Sequence, residues 1–418
     1  MDKIKVVWIC HFSNEQIRER LNFDRISPFA LYRRFRGQYV FSDYAIWNTN
    51  AIKEFEKFDD IELHIVAPHY SISGIQEFDI NGIQYHFFET EDEGLLSLLM
   101  NKIRKKIKTS HKKNSKVINK LVNKIKPDIV HLIGAENPYY GEAVLTLPRN
   151  IPLILTLQTL MNDPNFYANY PISKELYDYR SSIEAQIIKR ADYIGSNVEF
   201  FRRIIKESIY PSARFLNMTL AVGEDVSLIN ADKQYDFVYF AADISKAADY
   251  AIEAFAITKK SYPNITLHIV GGYSESYRQT IENRIAELRL GDHVDFTGKL
   301  PTHDDVISEI RKAKFAVLPL KVDLIASTLR EAMANGLPVV STVTPATPTL
   351  NEKRESVLLS DIGDFAKMAE NMCRLMADEN LSQELRNNAA RTVEELYSNA
   401  ANMREWKSNY YAILQNER

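Results

Sequence analysis

Residues 318–342 read LPLKVDLIASTLREAMANGLPVVST and contain four structural signals in immediate succession. The apolar run at 315–320 predicts a buried strand, and the loop behind it leads into a helical pattern that Gly336 ends. A second apolar run at 338–341 predicts the next strand. Two strands joined through one helix form a β-α-β unit, so this stretch predicts an α/β fold with a parallel sheet.

The same alternation of short apolar runs and amphipathic stretches extends along nearly the whole chain. It predicts two doubly wound domains, one over 1–215 and one over 216–396, and a C-terminal helix over 397–418 that returns to the first domain. The remaining candidate strands are 5–10, 61–67, 128–133, 153–157, 193–196, 237–241, 266–270, 294–297 and 357–359.

Two local patterns add detail to the first domain. Apolar side chains between Tyr44 and Phe58 recur at spacings of three and four, which predicts a helix with one buried face. The dipeptide Asn81-Gly82 lies between two alternating segments and predicts a tight hairpin, which adds an antiparallel edge to the sheet.

Length and composition exclude several classes of protein. The chain has 418 residues, 45% of them hydrophobic and 26% charged, so it is neither a single small module nor a disordered chain. The formal charge of −3 does not favour a nucleic-acid binder. Cys10 and Cys373 are the only cysteines, which fits a reducing cytoplasm, and the histidines lack metal-ligand spacing. We therefore expect no metal.

The stretch quoted above resembles the signature of the group 1 (family four) retaining glycosyltransferases. In that signature two acidic residues with seven between them precede an Ala-x-Ala-x-Gly-x-Pro-Val-Val run, as Asp323 and Glu331 do here. Other segments that look like this family are 127–131, 189–193, 251–255, 262–271 and 294–301. The resemblance covers nearly the whole chain and implies the GT-B fold, with two Rossmann-like doubly wound domains, an inter-domain cleft, and retaining hexosyltransferase activity.

The resemblance implies catalytic roles for three side chains of the second domain. Asp323 would face the donor sugar, and Lys246 would stabilise the leaving diphosphate. Glu331 would accept hydrogen bonds from the ribose hydroxyls of a nucleotide. A competing interpretation of Glu331 needs no ligand, because Thr328-Leu329-Arg330-Glu331 also reads as a helix capping box.

Five further positions would complete the donor-binding site by the same resemblance. The backbone at Ser327 and Thr328 would meet the diphosphate at a helix start, where free N–H groups attract anions. The base and ribose would lie against Gly271, Lys299 and Leu300.

Several positions depart from the family pattern. Asp323 replaces the usual glutamate, and Asp243 stands where an arginine is usual. In the first domain Gln158 replaces a histidine. These departures leave two hypotheses open, an active transferase or a catalytically degenerate GT-B protein that binds nucleotides or glycans, or serves as an assembly partner.

The acceptor side would lie in the first domain. Glu136 and Asn137 follow a predicted strand directly, although Asn-Pro at 137–138 could equally form a plain turn. Gln158 can position a sugar hydroxyl but cannot exchange protons as histidine does. Asn14, which follows the first strand, is the fourth acceptor-side candidate.

The segment 102–126 contains eleven Lys and Arg and no acidic residue, with apolar side chains at helical spacing. A surface of this kind can bind anionic lipid headgroups, although a solvated helical face is an equally good interpretation. The family resemblance favours the membrane, because such enzymes often use lipid-linked acceptors.

The combined expectation is a bacterial enzyme of surface-polysaccharide biosynthesis. It would use a nucleotide-sugar donor and a glycan or lipid-linked acceptor, without a cofactor and without nucleic acid. We expect a cytoplasmic protein that lies on the inner face of the membrane through residues 102–126.

Overall fold

The computed structural model describes residues 3–25, 42–90, 110–164, 166–169, 172–221, 226–229, 231–241, 246–321 and 326–416. The chain forms two compact units. The first consists of Met1–Ala221 and Asn399–Arg418, and the second of Val222–Ser398. The sequence predicted the two divisions after residues 215 and 396, and the structure has them after 221 and 398.

An eight-stranded sheet forms the centre of the first unit, in the order β3-β4-β2-β1-β5-β6-β7-β8. Neighbouring strands are parallel except for the β3–β4 hairpin at the edge. The strands are β1 (Ile4–Ile9), β2 (Ile61–His69), β3 (Ile75–Ile80), β4 (Ile83–Glu89), β5 (Ile129–Ile133), β6 (Leu153–Thr156), β7 (Tyr193–Gly195) and β8 (Phe215–Leu216).

Helices connect these strands, as parallel pairing requires. In the described part of the first unit they are α1 (Glu15–Arg20), α2 (Ile46–Phe55), α3 (Lys112–Ile125), α4 (Pro138–Gly141), α5 (Phe166–Asn169), α6 (Lys174–Arg190) and α7 (Glu199–Ile204). A short 3-10 helix, Glu142–Thr146, follows α4, and a π-helical turn, Ile205–Ile209, follows α7.

The C-terminal helix, Asn399–Asn416, belongs to the first unit and completes its core. Met403, Trp406, Tyr410 and Ile413 are fully buried on one face of this helix, where they join the core cluster that also contains Trp8. Residues three or four apart lie on the same helix face, which explains the spacing of the four side chains.

The second unit has a six-stranded sheet in the order β11-β10-β9-β12-β13-β14, and all its strands are parallel. The strands are β9 (Tyr235–Phe240), β10 (Leu267–Val270), β11 (Val294–Gly298), β12 (Ala313–Val317), β13 (Val339–Thr342) and β14 (Leu358–Ser360). This order is that of a doubly wound nucleotide-binding sheet, in which the direction of winding reverses at the first strand.

Helices of the second unit follow its strands in alternation. They are α8 (Ala248–Thr258), α9 (Glu275–Glu287), α10 (His303–Ile310), α11 (Ser327–Ala334), α12 (Phe365–Ala377) and α13 (Glu379–Tyr397). Over the part of the chain that the structure describes, no helix combines the length and the apolar character needed to cross a bilayer.

The predicted fold class is confirmed, because both units are doubly wound and parallel apart from the β3–β4 edge. The predicted hairpin is also present, with Asn81 and Gly82 both at positive φ. In α3 the apolar side chains Ile118, Leu121, Val122 and Ile125 are buried within the first unit. The solvent-exposed face of α3 is therefore basic, and its apolar side chains are not available to a membrane.

Candidate functional site

The carboxyl ends of the second sheet present the features expected of an anion site. Strand β9 pairs with β10 on one side and β12 on the other, so the winding reverses between β9 and β12. Loops at such a reversal diverge to opposite faces of the sheet and leave a crevice for a ligand. Asp243 and Asp323, which follow these two strands in the sequence, lie outside the described residues.

Two glycines behind β10 permit close approach of neighbouring backbone. Gly271 has φ +130°, and a Cβ atom there would lie 2.9 Å from the carbonyl oxygen of Ala241. A Cβ atom on Gly272 would lie 2.6 Å from the Cβ of Lys299. Lys299 and Leu300 follow β11 directly, so the predicted donor-binding residues Gly271, Lys299 and Leu300 lie on adjacent strand ends.

Helix α11 begins at Ser327, and its amino end lacks a side-chain cap. Ala326 occupies the N-cap position and makes no side-chain cap hydrogen bond. The capping-box interpretation of Thr328 and Glu331 is therefore wrong, because Thr328 is already the second residue of the helix. The N–H groups at this helix start remain suited to an anion.

Glu331 lies in the second turn of α11, with only 5% of its surface exposed. Its Oε1 atom is 3.9 Å from Nε2 of His303, the first residue of α10. The side chain of Asn335 hydrogen bonds the backbone oxygen of Glu331 at 2.9 Å and so anchors this turn. An ionised carboxylate only accepts hydrogen bonds, so Glu331 in this buried position can accept from hydroxyl groups that are suitably oriented.

Two lysines of the second unit lie near the reversal between β9 and β12. Lys246 precedes α8, and its backbone oxygen accepts a hydrogen bond of 3.0 Å from the Tyr239 hydroxyl. Lys321 follows β12 and pairs with Asp249 at 2.7 Å, with its Nζ atom 4.4 Å from the ring centre of Tyr250. Sequence reasoning missed Lys321, although a cation directly behind an apolar strand was a usable signal.

The carboxyl ends of the first sheet bring three of the four acceptor-side candidates together. Asn137 donates through Nδ2 to Oε1 of Glu136 at 2.9 Å. We orient the Gln158 amide so that its nitrogen donates to the same Oε1 atom and its oxygen accepts from Trp47 Nε1, each at 3.0 Å. Burial raises the pKa of Glu136 to about 7.

Asn14, the fourth candidate, has a structural partner for each end of its side chain. Its Oδ1 atom accepts from the backbone N–H of Ile17 at 2.8 Å and caps α1. Its Nδ2 atom donates to Thr49 Oγ1 at 3.3 Å. The described contacts therefore make Asn14 the N-cap of α1, and its place on the acceptor side stays a prediction.

Three residues around Glu136, Gln158 and Tyr140 were missed as functional candidates. Gly134 is the first residue behind β5 and has φ +87°. The ring of His11, behind β1, lies 5.2 Å from that of Tyr140. Trp47 was interpreted as part of an apolar helix face. A glycine directly after a buried strand was the signal that could have found Gly134. Within the described ranges, no set of three or more His, Cys, Asp or Glu side chains is arranged to hold a metal ion.

Comparison with known families gives a match over the second unit. Residues 225–392 match the family model described as glycosyl transferases group 1. The matched stretch includes all six strands of the second sheet and the start of α11.

An uncharacterized glycosyltransferase of Haemophilus influenzae is similar to part of the chain. The two are 26% identical over 163 residues, which is 39% of this chain and 44% of that protein. The chain thus spans less than half the length of this curated relative.

Two solved structures are similar over nearly the whole chain. Sucrose-phosphate synthase from Thermosynechococcus elongatus has a TM-score of 0.71 at 15% identity and covers 99% of this chain and 100% of its own. The Anabaena protein HepE, solved in complex with UDP and glucose, has a TM-score of 0.65 at 13% identity and covers 98% and 100%. These likenesses show that the chain has the GT-B fold.

Proposed function

We propose that this chain, whose second unit is a group 1 glycosyltransferase domain within a GT-B fold, transfers a sugar from a nucleotide-sugar donor to a glycan or lipid-linked acceptor. The observation that carries the proposal is the family match, because it covers the whole second sheet and the uncapped start of α11. The UDP and glucose bound by the Anabaena protein support a nucleotide sugar as the donor class. The setting that we propose is bacterial surface-polysaccharide synthesis.

The proposed reaction retains the anomeric configuration. The bond from the anomeric carbon to the diphosphate oxygen breaks, and the acceptor oxygen bonds to that carbon on the same face. The acceptor proton passes to the leaving diphosphate. In this scheme Lys246 and the N–H groups at Ser327 and Thr328 stabilise the charge that develops on the leaving group, while Asp323 orients the sugar.

Donor recognition in this proposal depends on Glu331 and on the strand-end glycines. Ribose hydroxyls would donate to the buried Glu331 carboxylate, and the base would lie against Lys299 and Leu300 beside Gly271. Because Lys246 and a helix start supply the positive potential, we propose that the reaction needs no metal ion. Activity that survives EDTA would support this part of the proposal.

The test is calorimetry of the full chain with UDP, GDP, ADP and CMP, followed by the sugar nucleotides of whichever base binds. We expect one base to bind and Glu331→Ala to weaken it by at least tenfold. Glu384→Ala, an exposed glutamate on α13, serves as the matched control and should bind normally.

The outcomes separate the hypotheses. No binding of any nucleotide would overturn the transferase proposal. Binding without transfer or donor hydrolysis would favour a binding or assembly role instead. If Glu331→Ala binds the nucleotide as tightly as the parent chain does, Glu331 is not part of the donor site. The transferase proposal would then still be judged by whether the parent chain binds a nucleotide.

We also propose that the lysine face of α3 and its flank attracts an anionic membrane surface. The exposed lysines described there are Lys112, Lys113, Lys116, Lys120, Lys124 and Lys126. The other cations of 102–126 lie outside the described residues. Because the apolar face of α3 is buried, attraction would be purely electrostatic, at about 1 kcal/mol per cation near the surface.

Co-sedimentation with phosphatidylserine and phosphatidylcholine vesicles at rising salt tests this surface. We expect binding only to the anionic vesicles, lost at high salt and weakened by the double change Lys116→Gln and Lys120→Gln. Lys259→Gln with Lys260→Gln, in the second unit, is the control. Equal binding to phosphatidylserine and phosphatidylcholine vesicles would contradict the proposal.

A further inference from the structure

The carboxyl group of Glu136 lies against Gly134. Any other residue at position 134 would displace this carboxyl group. A Cβ atom on Gly134 would lie 2.8 Å from Glu136 Oε1, 2.9 Å from Oε2 and 2.8 Å from the Tyr140 hydroxyl. Real Cβ atoms do not approach so closely, and the φ of +87° also favours glycine. The sequence thus provides a space directly behind β5 that the Glu136 carboxyl group occupies.

Only one oxygen of this carboxyl group has a partner. Oε1 accepts from the side-chain amides of Asn137 and Gln158, and Trp47 orients the Gln158 amide. Oε2 is buried and has no hydrogen-bond partner among the described residues. A buried carboxylate oxygen without a partner is costly, so its presence at a strand end indicates that a ligand supplies the missing donor.

Aromatic side chains lie on the Tyr140 side of this carboxyl group. The ring of His11 stacks on Tyr44 with centres 5.6 Å apart, and Tyr140 lies 5.2 Å from His11. The Nδ1 atom of His11 is also buried without a partner in the described part of the chain. Burial lowers the pKa of His11 to about 4, so this ring is neutral at pH 7.

The charge of Glu136 determines which kind of ligand group can bind beside it. In the described part of the chain no cation forms an ion pair with Glu136; Arg180 of α6 acts on it only through its longer-range charge. A phosphate or carboxylate entering this site would meet an unneutralised carboxylate and be repelled. An uncharged hydroxyl group can instead donate to Oε2 while the carbon skeleton of a sugar ring packs against the aromatic side chains.

We propose that Glu136, Gln158 and His11 form the binding site for an uncharged hydroxyl-bearing part of the acceptor, with Glu136 Oε2 accepting a hydrogen bond from an acceptor hydroxyl. This inference rests on the proposed function and names its acceptor class as a neutral sugar rather than a phosphorylated one. The hydrogen bond orients the hydroxyl, and Glu136 is accordingly a positioning residue.

The site has a pH dependence with a defined sign. The pKa of Glu136 is raised to about 7 by burial. The charged and titratable groups that act on it are Arg180 and Glu184 from α6 and Tyr140 from α4, and the neutral ring of His11 lies on the far side of Tyr140. Because the ionised carboxylate is the acceptor, binding strengthens as the pH rises through 7. From pH 6 to pH 8 the ionised fraction increases about tenfold.

The experiment uses the full chain without a donor and follows the emission of Trp47 during titration with glucose, N-acetylglucosamine, maltose and glucose 6-phosphate. Trp8 and Trp406 are fully buried in the core, so we assign a change in emission on addition of sugar to Trp47. We expect an uncharged sugar to bind at millimolar concentration, about tenfold more tightly at pH 8 than at pH 6. Glucose 6-phosphate should bind more weakly than glucose.

Glu136→Gln keeps the size of the side chain and removes its charge. It should weaken sugar binding at least tenfold and abolish the pH dependence, whereas Glu175→Gln, an exposed residue of α6, should change neither. Nucleotide binding by Glu136→Gln should be normal, which shows that the variant is folded and separates this test from that of the proposed function. Equal binding of sugar by Glu136→Gln, preference for glucose 6-phosphate, or no binding of any uncharged sugar would overturn the inference.

Discussion

The indole Nε1 of Trp8, in the first strand, donates a 2.9 Å hydrogen bond to the hydroxyl oxygen of Tyr410, in the C-terminal helix. The same hydroxyl lies 2.6 Å from Nδ1 of His131, whose Nε2 lies 2.7 Å from Thr156 Oγ1. All four side chains are fully buried. This network of hydrogen bonds connects β1, β5 and β6 to the C-terminal helix. Because its polar groups are buried, water cannot replace a hydrogen-bond partner that is lost.

Tyr410→Phe is expected to destabilise the first unit, because it leaves Trp8 Nε1 and His131 Nδ1 buried without partners. Each unsatisfied buried group costs about 1–3 kcal/mol. All three tryptophans lie in the first unit, so urea unfolding followed by tryptophan emission measures that unit.

The neighbouring Tyr411→Phe is the matched control. It also removes a hydroxyl hydrogen bond, of 2.9 Å to Asp60, but from a partly exposed position where water can replace the partner. Equal losses of stability in the two variants would show that the buried network contributes nothing specific.

The contribution of His131 to the stability of the first unit should fall as the pH falls from 6.5. Burial lowers the pKa of His131 to about 3, whereas an unfolded chain has the ordinary histidine value near 6.5. Between these values the unfolded chain binds a proton that the folded chain excludes, so acid favours unfolding by up to about 1.4 kcal/mol per pH unit for this one group.

Urea unfolding between pH 5 and pH 7 measures this slope. His131→Gln should change this slope by up to one proton, toward a smaller loss of stability in acid. His11 and His69, whose pKa values burial lowers to about 4, also favour unfolding in acid, whereas Glu136 and Glu184, whose pKa values burial raises to about 7, act in the opposite direction. His293→Gln, in the second unit, should leave the tryptophan-detected slope unchanged. An identical slope in His131→Gln would contradict the assignment.

Gly134→Ala should reduce binding of uncharged sugars at least tenfold, because its Cβ would displace the Glu136 carboxyl group. Gly82→Ala has nearly the same positive φ, +83°, and no neighbouring atom within 4 Å. The two changes share the backbone strain and differ only in the contact. Titrations of both variants with glucose therefore isolate the effect of moving Glu136, and equal losses would attribute it to strain alone.

Gly271→Ala should weaken nucleotide binding at least tenfold without unfolding the second unit. The new Cβ would approach the carbonyl of Ala241 at 2.9 Å and shift the ends of β9 and β10 apart. Calorimetry with the nucleotide that binds best gives the affinity. Gly291→Ala, which meets no atom within 4 Å, should bind as the parent does.

The sequence predicted the strands well because each is a short apolar run bounded by a turn. The expected strand 153–157 is Leu153–Thr156, and the expected 193–196 is Tyr193–Gly195. The two-residue strand Phe215–Leu216 was missed, since two residues show no period. The Thr328 capping box failed because local sequence alone could not show that the helix already begins at Ser327.

The candidate sites were predictable only where a signal was local. Glu136, Asn137 and Gln158 stand directly behind strands, and the structure brings them into contact. Trp47 contacts Gln158, and His11 contacts Tyr140, from distant parts of the chain, and no sequence spacing predicts such contacts. The partnership of His131 with Tyr410, 279 residues away, depends on tertiary packing and was equally invisible.

The packing of Tyr410 against Trp8 also sets an order of events during synthesis. Tyr410 lies 402 positions after Trp8, so at about 5–20 residues per second it emerges from the ribosome tens of seconds later. During that interval the first sheet lacks the side chains that close its core, whereas the second unit is a continuous segment whose strands have all been made. The half of the molecule that is translated first is therefore the one that finishes folding last.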